Sequence, residues 1–293
     1  MSFKLSGYST ALFATWYFAE DLGILFDCGD GCVAGLLQKS GKARHIFMSH
    51  ADRDHLAGLL QFCQLNNRKE YPKLFYPADC GSFPALHAFS ANFDPHIEKG
   101  DWQGIKDKEQ IAIAKDIFVT AIRNNHVPAP GDRHKSLGYL VERTKRKLKE
   151  DYAGLPGREI ASLRKTLGEN EIAYEVREKL LAYSGDTPIE NETWWDNTDI
   201  LIHEATFIDR ADMNSEDPRS NKHSLLEDVI AMAARIHINH LVLGHFSPRY
   251  DDESIIAAIQ RLCTHYSLHC NVHAVLPGKT YKNIFDNKVY PGS

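Results

Sequence analysis

No apolar run in this 293-residue chain approaches the roughly 20 residues that span a bilayer, which excludes a helical membrane anchor. The opening Met-Ser-Phe-Lys-Leu-Ser-Gly lacks the apolar stretch and small-residue cleavage site of a secretory leader, so a cytoplasmic location is expected. The six cysteines, Cys28, Cys32, Cys63, Cys80, Cys263 and Cys270, include no C-x-x-C pair and no small-domain disulfide framework. They read as reduced structural thiols, with Cys28 and Cys32 as small buried hydrophobes beside a glycine-rich turn. Positive charge is also short: the formal net charge of −5 argues against a chain that coats nucleic acid non-specifically and leaves room only for a local basic patch. There is no internal repeat, heptad pattern or low-complexity tract. With 43% hydrophobic and 25% charged residues the chain can bury a large core, and one domain over residues 1–293 is expected.

Histidine is plentiful. Fifteen exceed what any metal centre needs, so position has to separate the functional ones from the rest. The stretch Ile46 to Gly58, Ile-Phe-Met-Ser-His-Ala-Asp-Arg-Asp-His-Leu-Ala-Gly, places His50, Asp52, Asp54 and His55 within six residues. An apolar run ending at Met48 reads as a buried strand and the pattern from Leu56 as a helix, so these four side chains fall on the turn between them. Their spacing does not suit one helix face; it suits an irregular turn whose side chains converge. Imidazole with carboxylate is a donor set for zinc, iron or manganese, and two of each could hold one ion or two. Alone, the cluster could equally be a charged surface turn.

The same placement recurs along the chain. Ala11–Phe18 and Gly23–Cys28 read as a hairpin whose second strand ends at Asp27, followed by Gly29 and Gly31, which permit positive φ. Strands are expected over Lys73–Tyr76, Ile111–Ala114, Ile117–Ile122, Leu137–Val141, Leu180–Tyr183, Ile200–His203, Leu241–Leu243 and Val272–Leu276. Helices are expected over Leu56–Leu65, Phe83–Phe93, Leu225–Ile236 and Ile255–Cys263, and a mobile polar loop over Asp209–Lys222. Asp27, His50, His126, Asp186, His203 and His245 each follow an apolar strand-like run at its C-terminal end, which points to ligands delivered to one edge of a sheet system. From Glu142 to Lys165 the composition turns charged and helix-prone, with Arg143, Lys145, Arg146, Lys147 and Lys149 crowded together. This reads as a protruding insertion at about residues 142–168, its five cations forming either a solvated face or, if RNA is bound, the patch that sets its affinity.

The ordered motifs Phe-Asp-Cys-Gly-Asp-Gly, Ser-His-Ala-Asp-Arg-Asp-His-Leu-Ala-Gly, Asn-His-Val-Pro, Ser-Gly-Asp-Thr, His-Glu-Ala-Thr-Phe and Gly-His-Phe-Ser-Pro-Arg-Tyr resemble the metallo-β-lactamase superfamily. Within it the chain is most similar to ribonuclease Z, the endonuclease that trims the 3′ end of precursor tRNA. The last two motifs carry that distinction. The resemblance implies an α/β fold, a four-layer αβ/βα sandwich of two mixed β-sheets with helices outside. It implies two divalent metal ions, zinc first, one held by His50, the residue at position 52, His126 and a bridging Asp186, the other by Asp54, His55, Asp186 and His245. The family has His at position 52 and this chain has Asp52, a harder ligand that shifts preference toward Mn2+ or Fe2+.

The resemblance further implies a phosphodiester substrate, precursor tRNA, and a homodimer. Two cations about 3.5–4 Å apart would activate a water and polarise the phosphoryl oxygens. Asp54 would orient that water, Glu204 acting with His223 would protonate the leaving 3′ oxygen, and Ser247 and Arg249 would bind phosphate. Asp27 is expected to hold the ligand loop rather than to ligate, and His203 to support the ligands from behind. Two rival readings are a small-molecule phosphodiesterase, for example on cyclic nucleotides, and a non-catalytic binding protein whose first metal site is degraded by Asp52. The segment at 142–168 is short beside the glycine- and proline-rich arm by which many ribonuclease Z enzymes grip tRNA.

Overall fold

The computed structural model describes residues 4–93, 99–213 and 222–292. A first sheet is built from β1 (Leu5–Thr10), β2 (Ala14–Ala19), β3 (Ile24–Phe26), β4 (His45–Phe47), β5 (Lys73–Pro77) and β6 (Asp101–Ile105) in that order. Its β1, β2 and β3 are antiparallel and β3 to β6 parallel. On this half lie α1 (Cys32–Leu36), α2 (Arg53–Leu56), α3 (Leu59–Asn66) and α4 (Ser82–Phe93).

The second sheet comprises β7 (Gln110–Ala112), β8 (Ile117–Arg123), β9 (Leu137–Leu148), β10 (Ala173–Tyr183), β11 (Thr198–Glu204), β12 (Ile238–Gly244), β13 (Asn271–Ala274) and β14 (Lys288–Tyr290), again adjacent in chain order. Strands β10 to β13 are parallel, with antiparallel partners on both sides. Helices α5 (Gly157–Leu167) and α6 (Glu169–Ile172) lie between β9 and β10, and α7 (Leu226–Ala233) and α8 (Asp252–His265) complete the set.

Three apolar clusters fix the layering. Phe26, Phe47 and Phe75 of the first sheet meet Tyr139, Leu181, Ile202 and Val242 of the second, so one core lies between the sheets. The outer face of the first sheet packs Trp16, Ile46 and Leu74 on Val33, Leu59, Phe62 and Phe83 of its helices. The outer face of the second packs Leu201, Leu241 and Leu243 on Val229, Ile230, Ile259 and Leu262 of α7 and α8. The result is helix, sheet, sheet, helix, the four-layer arrangement expected. Full burial of each such side chain contributes about 1.5–3 kcal/mol.

Three strands escape the sequence pattern. Leu5–Thr10 is polar at Ser6, Ser9 and Thr10, yet those residues are buried and bonded: Ser9 Oγ accepts from the His245 amide at 2.9 Å and Thr10 Oγ1 from that of Gly278 at 3.0 Å. Asp101–Ile105 and Lys288–Tyr290 are edge strands in which only Ile105 is buried, so little apolar pattern marks their sequence.

The charged segment after Val141 departs from its helical expectation. Its first part continues β9 as strand, paired with β10 from Tyr139↔Tyr183 to Leu148↔Ala173 with one register shift at Leu180, and α-helix begins only at Gly157 after a 3-10 turn at Glu150–Tyr152. Cross-strand pairing has overridden helix propensity. Lys145 pairs with Glu178 at 2.6 Å, Arg143 lies 3.6 Å from Asp116, and Arg146 bonds Asn170 at 2.7 Å. Three of the five cations expected to act together are therefore engaged by neighbouring side chains, two within the arm and Arg143 at the β7–β8 turn. Of the loop expected over Asp209–Lys222, residues 214–221 lie outside the described residues.

Candidate metal centre

Strands β3, β4, β8, β10, β11 and β12 all end at one edge of the paired sheets, and the polar residues follow them there. Asp27 succeeds β3, His50 succeeds β4, and Asp52, Asp54 and His55 open the following turn and α2. His126 follows β8, Asp186 follows β10, Glu204 closes β11, and His245 follows β12. Asp27 and His245 take left-handed φ of 53° and 59°, which turns the backbone sharply off the strand end. Gly31 has the expected positive φ of 73°, whereas Gly29 serves close approach: a Cβ there would collide with the Asp54 carbonyl and the Thr15 backbone.

The seven residues expected as ligands lie together around Asp186. Its Oδ2 is 3.2 Å from His55 Nε2, 3.2 Å from His245 Nε2, 3.7 Å from His50 Nε2 and 4.0 Å from His126 Nε2. Asp52 Oδ2 is 3.7 Å from His50 Nε2 and 3.6 Å from His126 Nε2. Asp54 Oδ2 is 3.7 Å from His55 Nε2 and 3.4 Å from His245 Nε2. Two groups result, sharing Asp186. Ligands about 2.0–2.2 Å from a tetrahedral cation stand roughly 3.3–3.6 Å from one another, which is close to these separations.

Each imidazole is anchored by its other nitrogen. His55 Nδ1 donates to Asp27 Oδ2 at 2.7 Å, His126 Nδ1 to the Lys222 carbonyl at 3.0 Å, and His245 Nδ1 to Thr206 Oγ1 at 2.9 Å. Ser49 Oγ donates to Asp27 Oδ2 at 2.7 Å and so accepts from His50 Nδ1 at 2.9 Å. All four rings therefore turn Nε2 toward Asp186, the orientation metal-binding histidines need. The Nε2 atoms of His50 and His55 are buried without a hydrogen-bond partner. Such orphaned acceptors are costly unless a cation satisfies them, so the residues fit divalent metal.

Electrostatics point the same way. Burial, reinforced by His55, pushes the His50 imidazole well below its ordinary pKa, leaving it a neutral ligand. Burial raises the Asp186 carboxyl, but His245 and His55 beside it outweigh this and hold it well below the usual carboxylate range. For His55, burial is opposed and overcome by Asp186 and Asp27 on either side, which raise it well above the ordinary imidazole value. Positive charge is thus favoured between these carboxylates, as proton or as metal.

Asp27 accepts from the Ser49 amide (2.6 Å), Ser49 Oγ, His55 Nδ1 and the Tyr183 hydroxyl (2.5 Å), the supporting position expected of it. Sequence reasoning did not single out Tyr183, Ser49 or Thr206. Tyr183 merely closes an apolar run, and nothing local marks its hydroxyl as aimed at Asp27. Thr206 Oγ1 donates to Glu204 Oε2 at 2.6 Å while accepting from His245 Nδ1, so it joins one ligand to Glu204. Glu204 Oε1 in turn accepts from His223 Nδ1 at 3.0 Å. Burial lowers His223, but the Glu204 carboxylate outweighs it and raises the imidazole to about 9. His203 stands apart, donating Nδ1 to the Glu204 carbonyl at 2.8 Å.

A cavity of roughly 620 Å³ opens over the cluster, walled by His126, Asp186, His223, His245, Ser247 and Arg249 among others. Arg249 Nε bonds Ser247 Oγ at 3.1 Å, its guanidinium lies 6.0 Å from the ring centres of both Phe207 and Tyr250, and it is 3.7 Å from Asp212. The guanidinium remains about half exposed, at the mouth of the cavity. Among the described residues no helix is long and apolar enough to cross a membrane.

The fold is that of the metallo-β-lactamase proteins, and with this ligand cluster it defines a metal-dependent hydrolase. A family model described as the beta-lactamase superfamily domain matches residues 23–149. More particularly, the chain resembles ribonuclease Z. It is 27% identical to tRNase Z TRZ1 of Arabidopsis thaliana over 268 residues, covering 89% of this chain and 91% of that protein. It is 29% identical to ribonuclease Z of Ignicoccus hospitalis over 265 residues, covering 83% and 84%. The crystal structure of human tRNase Z, short form, superimposes with a TM-score of 0.58 at 20% identity, over 84% of this chain and 93% of that one.

Proposed function

We propose that this protein is a phosphodiesterase of the ribonuclease Z kind that cuts precursor tRNA at its 3′ end. The supporting observation is that four anchored imidazoles gather around Asp186 with a proton-donor pair, Glu204 and His223, beside them, and that His126, Asp186, His223 and His245 wall one cavity. Two divalent cations, zinc by preference, would be held by His50, Asp52, His126 and Asp186 and by Asp54, His55, Asp186 and His245. Bound there, they would supply Lewis acidity toward the phosphoryl oxygens and lower the pKa of water.

The chain's own groups do the rest. Asp54 accepts a proton from the attacking water and orients it in line. His223, kept protonated at neutral pH by Glu204, donates to the departing 3′ oxygen. Ser247 and Arg249 hold the non-reacting phosphate oxygens, the guanidinium offering a two-pronged fork. Asp27 keeps His55 and the Ser49 loop in register. Exposed cations of the β9–β10 arm would add phosphate contacts away from the centre.

A second reading, a small phosphodiester substrate, is favoured by one observation: Arg143, Lys145 and Arg146 of that arm are already engaged. Chain reconstituted with zinc or manganese is to be tested on precursor tRNA and on bis(p-nitrophenyl) phosphate, with Asp54→Ala as control. Cleavage of both, lost in the control, supports tRNA processing. Hydrolysis of the small diester alone replaces it with the second reading, and no hydrolysis of either defeats both.

A further inference from the structure

The turn joining β1 to β2 is unlike the strands it connects. Those strands are buried almost throughout, yet Leu12 at the turn is 85% exposed and Phe13 is 62% exposed. Leu12 also takes a φ of 70°, a left-handed conformation ordinarily given to Gly, Asn or Asp. A bulky apolar residue held in that conformation and in water does nothing for the core, and such strain collects at sites that grip ligands. Its amide donates to Asp54 Oδ2 at 3.1 Å, which ties the turn to the ligand cluster.

Leu12, Asp52 and Asp54 form a partition between two hollows. On one side is the cavity with His223 and Arg249 already described. On the other is a more open groove of roughly 910 Å³ whose walls are Ala51, Leu56, Ala85, Leu86 and Phe89, with Arg53 at the rim. A phosphodiester seated on the partition has two ester arms. The arm whose oxygen departs must face the proton donor in the first hollow. The arm that keeps the phosphate is then directed across the partition, into the groove.

We propose that this groove is a nucleoside subsite: Leu12 on one wall and Leu86 and Phe89 on the other sandwich the base of the nucleoside that retains the 5′-phosphate. The proposal rests on the phosphodiesterase reading above and names the substrate arm it selects. A nucleotide fits both ends of the groove, its phosphate at the carboxylates where cations would be held and its flat base against apolar side chains. An apolar peptide laid in the same place would have to bury Asp52 and Asp54 against itself without compensation.

The test compares two esters with one leaving group, thymidine 5′-(p-nitrophenyl) phosphate and methyl p-nitrophenyl phosphate, on the metal-reconstituted full chain. The native protein is expected to favour the nucleoside ester by about tenfold in kcat/KM, mostly through KM. Leu12→Asn removes the apolar wall with a residue that tolerates positive φ, and Phe89→Ser alters the opposite wall; each should reduce that preference severalfold. Should one variant fail to fold, the other carries the test. Equal kcat/KM for the two esters in the native protein, or an undiminished preference in the folded variants, overturns the subsite alone. Failure of the native protein to hydrolyse either ester overturns the phosphodiesterase reading with it.

Discussion

The two halves of the candidate ligand cluster are built to different standards. Around Asp54, His55 and His245 the donors are backed by buried hydrogen bonds: Asp27 collects four donors behind His55, and Thr206 links His245 to Glu204. Around Asp52 the support is thin. Its side chain is 63% exposed against 13% for Asp54, and although it stands at the start of α2 it makes no capping hydrogen bond there. Rigid support fixes ligand geometry before a cation arrives, whereas an exposed carboxylate must be ordered by binding. The group containing Asp52 should therefore be the weaker and more exchangeable site, and that containing Asp54, His55 and His245 the one whose support also stabilises the fold.

The largest effect that would break this contrast is at Asp27. Asp27→Ala leaves Ser49, His55 and Tyr183 with unmet polar atoms in the core, and a loss of about 3–5 kcal/mol in unfolding free energy is expected, as for a buried pair missing one partner. Denaturant unfolding of the metal-free chain measures it, and a loss under 1 kcal/mol would mean the network adds little.

Next in size is the coupling of Glu204 to His223. Because the folded imidazole titrates at about 9, against an ordinary value near 6.5, its charged form supplies stability that is complete below about 6.5 and lost as pH rises through about 9. Cleavage of an alkoxide leaving group should fall over the same upper limb. Glu204→Gln should move that limb toward neutrality, lowering the rate at pH 8 by roughly tenfold or more, while p-nitrophenol, which departs without protonation, is affected far less. Thr206→Val should shift it in the same direction and less. Equal losses for both leaving groups would assign Glu204 to metal support instead of proton delivery.

The smallest expected change is at Asp52. Asp52→His removes no cap and substitutes a softer donor, so zinc affinity of the weaker site should rise, by about tenfold, with the tighter site unmoved. Competition titration against a chromophoric chelator resolves the two. Unchanged affinities would show that the exposed carboxylate is as good a ligand as imidazole in this setting.

These contrasts were only partly visible in the chain. The candidate ligands could be picked out because His50, His126, Asp186 and His245 each lie within a few residues of the end of an apolar run, and Ile46–Met48, Leu180–Tyr183 and Leu241–Leu243 announce their strands by composition alone. The β9–β10 arm misled, since Lys and Arg favour helix locally while pairing to β10 is a non-local interaction that propensity does not see. Strand β1 was missed for the opposite reason: its serines and threonine are buried and matched to partners more than two hundred residues away, so its polarity looked like a loop.

What the sequence determined by itself was the inventory and the order: an alternation of apolar strand and helix patterns that fits a layered α/β fold, the two-sheet sandwich following only from the family resemblance, and His and Asp placed near strand ends. Only the tertiary structure decided which atoms meet. That four imidazoles all present Nε2 follows from partners at Asp27, Ser49, Lys222 and Thr206, three of them far away in the chain. That Leu12 stands out of the core beside Asp54 goes with a hydrogen bond from its amide to the Asp54 carboxylate, spanning 42 residues. Side-chain direction is set by contacts made after the chain has closed on itself, and no local propensity carries that information.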